Sequence, residues 1–295
     1  MDQDIVIQTD HLSKAFGHKL ALKDLCLTLR KGDIYGFIGK NGSGKTTAMK
    51  LILGLLEPTS GSIRLFGGDD LLASRAKIGS LIESPGLFKN CTGKENMKRF
   101  ALLFGGDDKE IDDLLDFMGL SEARDKKVRA YSLGMKQRLG VAVALLGNPE
   151  VLVLDEPMNG VDPAGIKDLR DLFIKISRKK GVSLLVSSHN LDELAKMATV
   201  YGILVDGALV AEERKEDILG RCGKAVSLVS ETPGKALEAL APMGRASLEG
   251  NEIRLETSHS SGEVAEALVK EGIPFSSIRE ETIGFEDFFI ERMGR

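Results

Sequence analysis

Only three cysteines occur in this chain of 295 residues, Cys26, Cys91 and Cys222. They are scattered and odd in number, and no C-x-x-C spacing joins any pair. That leaves no zinc or dithiol motif, and the chain reads as cytosolic. No apolar run approaches the ~20 residues needed to cross a bilayer, so any membrane role must be borrowed from a partner. The chain opens with Asp2 and Asp4 rather than a basic stretch followed by an apolar one, so no secretory signal is expected. A basic field is also missing. Net charge is −4, and the densest basic cluster, Arg124-Asp125-Lys126-Lys127-Val128-Arg129, reads as solvated surface, so no nucleic acid is expected as a partner. No low-complexity linker interrupts the chain. What is present is enough apolar material, 42% of residues, to bury a core. The length suggests a large domain with a smaller second one.

The most informative segment is Gly39-Lys40-Asn41-Gly42-Ser43-Gly44-Lys45-Thr46-Thr47, which fits G-x-x-x-x-G-K-[ST]. It lies between a strand-like run, residues 34–38, and a helix-like run, residues 46–55. Glycines and small residues let backbone N–H groups close around an anion, and the following helix points its positive dipole end at it. Lys45 adds a mobile positive charge, and Thr46 supplies the hydroxyl that such loops place on Mg²⁺.

Alternation at Leu25, Leu27 and Leu29 followed by the run 34–38 reads as two strands separated by a turn at Lys31-Gly32. Pro58 to Gly61 forms a turn before a short strand at residues 63–66. From about residue 88 to 146 the pattern is helical, with capping-box spacing at Thr92 and Glu95. Four apolar residues, 151–154, bounded by Pro149 and Pro157, suit a strand buried on both faces of a parallel sheet. Asp162-Pro163 opens a helix, residues 182–186 form a further buried strand, and Asn190 is placed to cap the next helix. Val205-Asp206-Gly207-Ala208 reads as a hairpin turn. The large domain is expected to span 1–220, and 221–295 to form a small α/β domain of short strands and helices. Its last helix would present Phe285, Phe288, Phe289 and Met293 on one face.

A strand ending in Asp155-Glu156 puts two carboxylates at the carboxyl edge of the sheet, where open α/β sheets bind ligands, beside the phosphate loop if the two strands are neighbours. Asp155 would hold Mg²⁺ and Glu156 would orient and deprotonate a water attacking the γ-phosphate. Without the loop the pair would be an ordinary exposed turn.

The order of further segments resembles the nucleotide-binding subunit of ATP-binding cassette (ABC) transporters. Tyr131-Ser132-Leu133-Gly134-Met135-Lys136-Gln137-Arg138 resembles that family's signature, Asn159-Gly160-Val161-Asp162-Pro163 its D-loop, and Ser187-Ser188-His189 its switch histidine. Phe16 matches the aromatic residue that stacks on adenine. The likeness covers roughly residues 5–220. It implies an α/β P-loop ATPase core with an antiparallel β part and a helical subdomain, together with Mg²⁺-dependent hydrolysis of ATP. It implies His189 at the γ-phosphate, and ATP shared between the loop of one subunit and Ser132, Gly134 and Asp162 of another, in an ATP-driven homodimer or a heterodimer with a second ATPase. Ser132 supports this independently, because it sits where it can cap a helix whose N-terminus forms a second anion edge.

Lys40 and Ser43 depart from the family's usual loop residues at positions that read as permissive. Leu133 and Met135 replace the usual Gly and Gln of the signature, while Ser132 and Gly134 remain. More informative is Glu83, within Ile78-Gly79-Ser80-Leu81-Ile82-Glu83-Ser84-Pro85-Gly86, where most members carry a glutamine that touches Mg²⁺ and the transmembrane partner. A carboxylate there resembles the bacterial branch that exports bacitracin-like or lantibiotic peptides for self-protection. The resemblance then implies a peripheral subunit on the cytoplasmic face of a bacterial plasma membrane, bound to an integral membrane permease through residues near 83–88. Export of another drug or lipid, or a soluble ABC ATPase of translation or DNA repair, are the alternative readings.

Overall fold

The computed structural model describes residues 4–68, 70–221, 223–283 and 288–289. It contains two compact units, Met1–Arg214 and Lys215–Arg295. In the first, the strands are β1 (Ile5–Phe16), β2 (Lys19–Leu25), β3 (Thr28–Arg30), β4 (Ile34–Ile38), β5 (Ser60–Leu65), β6 (Ile78–Leu81), β7 (Val151–Leu154), β8 (Ser183–Ser188), β9 (Val200–Val205) and β10 (Ala208–Arg214). The helices are α1 (Lys45–Ile52), α2 (Leu71–Arg75), α3 (Gly93–Phe104), α4 (Asp108–Phe117), α5 (Leu133–Ala144), α6 (Pro163–Lys180) and α7 (Leu191–Ala195).

Strands β4, β7 and β8 are buried at every residue, as strands covered on both faces must be, β8 carrying buried serines at both ends. The sheet runs β3-β1-β2-β10-β9-β4-β8-β7-β6, with β5 also paired to β1. Pairing is parallel from β9 through β6 and antiparallel where β1 meets β2, β3 and β5. β4 and β7 are not neighbours, because β8 lies between them and pairs with both. Contact between the loop after β4 and the acidic pair after β7 is therefore made through α1 and β8 rather than by strand adjacency.

The helical stretch forms α3, α4 and α5 between β6 and β7. Thr92 accepts from the Glu95 amide while Glu95 accepts from the Thr92 amide, completing the capping box. Ser132 Oγ accepts from the Met135 amide at 3.2 Å and caps α5. Asp162 stands at the N-cap of α6 with Pro163 in the first turn, but its side chain accepts no capping bond. The turn between β9 and β10 is the expected hairpin, with Asp206 at φ 46° and Gly207 at φ 86°.

The second unit contains α8 (Lys215–Arg221), β11 (Gly223–Ser230), α9 (Pro233–Leu240), β12 (Arg245–Glu249), β13 (Glu252–Glu256), α10 (Ser261–Lys270) and β14 (Phe275–Ile283). From β11 onward this is a β-α-β-β-α-β unit with the antiparallel order β12-β13-β11-β14. Val226, Leu228, Ile253 and Leu255 from the sheet pack with Ala236, Leu240, Val264 and Leu268 from the helices in a core of its own. The expected last helix falls partly on residues outside those described. Phe285 and Met293 lie outside them, while Phe288 and Phe289 are buried and meet edge to face.

Candidate functional site

α1 begins at a glycine, Gly44, held at φ 109°, and no side chain caps it. The N–H groups of its first turn thus meet no capping side chain, which is the local condition for anion binding. Close approach fixes the glycines: a Cβ on Gly39 would lie 2.5 Å from the Leu204 carbonyl, and one on Gly44 2.7 Å from that of Ala21. The hairpin turn supports the loop from behind, with the Gly207 amide donating to the Ser43 carbonyl at 3.0 Å. Ser43 itself is buried and its Oγ has no partner, so this position is enclosed rather than permissive.

Lys45 is 5% exposed; its ammonium donates to the Gly39 carbonyl at 2.6 Å and lies 3.3 Å from Glu156 Oε1. That carboxylate oxygen is buried and accepts no hydrogen bond. Thr46 Oγ donates to Asp155 Oδ2 at 2.7 Å, while Ser187 Oγ donates to Asp155 Oδ1 at 2.7 Å and accepts from the Glu156 amide at 2.8 Å. The other Glu156 oxygen lies 2.8 Å from His189 Nδ1. Glu156 has φ 47°, a left-handed conformation in which a non-glycine residue is strained, and such strain clusters at functional sites. Lys45, Thr46, Asp155, Glu156 and His189 thus meet at one sheet edge, together with Ser187. Side-by-side oxygens of Thr46 and Asp155 are hard donors of the kind Mg²⁺ takes.

This cluster opens into a cleft of about 460 Å³ lined by Asn41, Gly42, Gly44, Lys45, Thr46, Thr47 and Glu156, and across from them by Lys19, Ala21, Asp206 and Gly207. Phe16 is half exposed at the end of β1; it does not line this cleft, although its pairing partner Lys19 does. Ser132, Gly134 and Asp162 are also outside the lining. They sit instead where the start of α5 meets the turn before α6, Gly134 facing Val161 and Gly160 facing Leu133. Glu83 is exposed, outside the cleft lining, and its carboxylate lies 2.6 Å from Lys50 Nζ. Sequence reasoning assigned no role to Ser187 or to the hairpin turn. Both were visible, one inside the switch segment and one as an Asp-Gly turn, but only the sheet order brings them to the loop.

A second group, Asp10, His11 and Cys26, holds its ligating atoms within 4.8 Å of one another, all exposed. His11 Nδ1 is taken by Asp24 at 2.6 Å and the His11 amide points at Cys26 Sγ, so the group is closed by its own hydrogen bonds.

The ABC transporter family profile matches residues 22–159. The bacitracin transport ATP-binding protein BcrA of Enterococcus faecalis is 38% identical over 302 residues, covering 100% of this chain and 98% of its own. Its namesake in Bacillus licheniformis is 35% identical over 98% of this chain and 97% of its own. The lantibiotic transport ATP-binding protein SrtF of Streptococcus pyogenes is 38% identical over 70% of this chain and 90% of its own. Among solved structures, the ADP conformation of MJ1267, an ATP-binding cassette of an ABC transporter, superposes with a TM-score of 0.67 at 26% identity, covering 74% of this chain and 94% of that one.

Proposed function

The chain belongs to the ATP-binding subunits of ABC transporters, and on that premise we propose that it powers export of a bacitracin- or lantibiotic-like peptide through a separate membrane permease. It is an ATPase, and the P-loop cleft is its nucleotide site. One observation carries the export reading: the similarity to bacitracin transport proteins runs the full length of the chain, through the second unit as well as the cassette.

In this reading ATP lies in the cleft with its phosphates on the amides of Gly42 to Thr47, and Phe16 at the rim faces adenine. Mg²⁺, held by Thr46 and Asp155 with Glu83 near them, would neutralise charge on the β and γ phosphates. Lys45 leaves its carbonyl partners for those phosphates. Glu156 takes the proton of the attacking water, and His189, already hydrogen-bonded to it, fixes the carboxylate. Ser132, Gly134 and Asp162 face outward because they close the nucleotide of a second subunit, identical or related. Among the described residues no helix is long and apolar enough to cross a membrane, so the membrane path comes from the permease, docked near residues 83–88 at the cytoplasmic face.

The test is to express the chain with its candidate permease in a bacitracin-sensitive bacterium. Raised resistance that requires both proteins and disappears with Glu156→Gln supports the reading. Unchanged resistance to bacitracin and lantibiotics, despite a stable complex, sinks the cargo assignment and leaves the ATPase intact.

A further inference from the structure

Thr46 and Lys50 stand one turn apart on the same face of α1. Thr46 bonds Asp155, and Lys50 Nζ donates to Glu83 Oε1 at 2.6 Å. The face that starts at the phosphate loop therefore touches both the acidic residue at the end of β7 and the one just beyond β6. Those ends are adjacent: Leu81 pairs with Leu154, and the Asp155 amide donates to the Leu81 carbonyl at 2.8 Å. Glu83 follows Leu81 by two residues, yet its carboxylate lies outside the cleft.

The backbone at Glu83 is held in a costly form. Its φ is 64°, and the Ser84 amide donates to the Ile82 carbonyl at 2.8 Å, so Glu83 is the central residue of a γ-turn with positive φ. That turn is rare and strained. At this turn the Glu83 side chain is held by Lys50, whose ammonium also lowers the Glu83 carboxyl below the usual carboxylate range.

We propose that Lys50 is the positioning residue of Glu83, holding its carboxylate outside the nucleotide cleft until a divalent cation competes for it. The inference rests on the reading of Glu83 as a neighbour of that cation. Both partners are partly exposed, and exposed ion pairs are weak, so the hold is one that a doubly charged ion can overcome.

The test measures Mn²⁺ affinity by electron paramagnetic resonance on Glu156→Gln protein saturated with ATP. Lys50→Met is expected to tighten Mn²⁺ binding about three- to fivefold, the range a weak exposed pair allows. In a Glu83→Gln background the same substitution should do nothing, and Lys50→Arg should behave as the parent. Metal-free binding of a fluorescent ATP analogue should be equal in all variants, which establishes that each is folded. An equal shift in both backgrounds would reveal only the loss of a nearby positive charge and would overturn the inference. If Glu83→Gln weakens Mn²⁺ binding while Lys50→Met is silent, the inference fails and the reading of Glu83 stands. If Glu83→Gln leaves Mn²⁺ binding untouched, that reading fails and the inference falls with it.

Discussion

Ser187 on β8 donates to Asp155 at the end of β7 through a 2.7 Å hydrogen bond, and both side chains are buried. The same hydroxyl accepts from the Glu156 amide, so one small side chain fixes the acid proposed for metal binding and the backbone of the proposed base. Ser187→Ala leaves a buried carboxylate oxygen and a partly buried amide without that partner, at a cost of about 1–3 kcal/mol. Urea unfolding would read the loss of stability. Turnover should fall further than the folded fraction does, because Glu156 is no longer held.

Glu156→Gln should lower ATP turnover by a factor of about 10² to 10⁴, the usual contribution of a general base, and should trap an ATP-bound dimer visible by size exclusion with light scattering. Near-normal hydrolysis with no stable dimer would refute the role of base.

Ser132→Arg places a long cation at the capped start of α5, outside the chain's own cleft. Nucleotide binding by the monomer is expected to persist while ATP-driven dimerisation is lost. A variant that loses both has lost its fold, and one that dimerises normally would remove the second anion edge from the mechanism.

Burial pushes the carboxyl of Glu212 above the usual range, although Thr28 and Tyr35 both donate to its Oε1. A carboxyl harder to ionise folded than unfolded stabilises the fold while protonated, and that contribution is lost as pH rises from the unfolded value through the folded one. Glu212→Gln keeps an acceptor without the charge. Its thermal midpoint should exceed the parent's at about pH 8 and converge with it at pH ~3, below the unfolded value, where the parent is protonated in both states. An offset independent of pH would mean that packing, not ionisation, sets the difference.

Leu255→Ala removes a fully buried side chain from the core of the second unit and should destabilise that unit by about 2–5 kcal/mol. Nucleotide binding should survive, with an early unfolding transition in calorimetry. A single transition shifted as a whole would show that the two units unfold together.

Much of the site was legible because its chemistry is local. The loop, the Asp-Glu pair and the capped helices are written in spacings of a few residues. β1 was not foreseen: its twelve residues break alternation at register shifts around Leu12 and Lys14, so no period emerges. β6 is only four residues long and contains Gly79, which looks like a turn signal. The structure gives the reason for that glycine, since a side chain there would collide with the Ala144 carbonyl at the end of α5. β12 and β14 likewise carry many polar residues and rely on pairing across the sheet. The place of β8 between β4 and β7 could not be read at all, because strand order depends on contacts between residues far apart in sequence.

That order has a bearing on synthesis. As the polypeptide leaves the ribosome, the loop strand emerges long before β8 and the acidic strand one helix before it, and until β8 arrives each lacks the parallel neighbour it shares. Every nascent copy therefore passes through an interval in which these two core strands have bare edges, prone to pairing with other chains. Ser183–Ser188 closes the facing edges of both at once, and the nucleotide pocket is completed only when β9 covers the other edge of β4 and brings Asp206 and Gly207 to the loop.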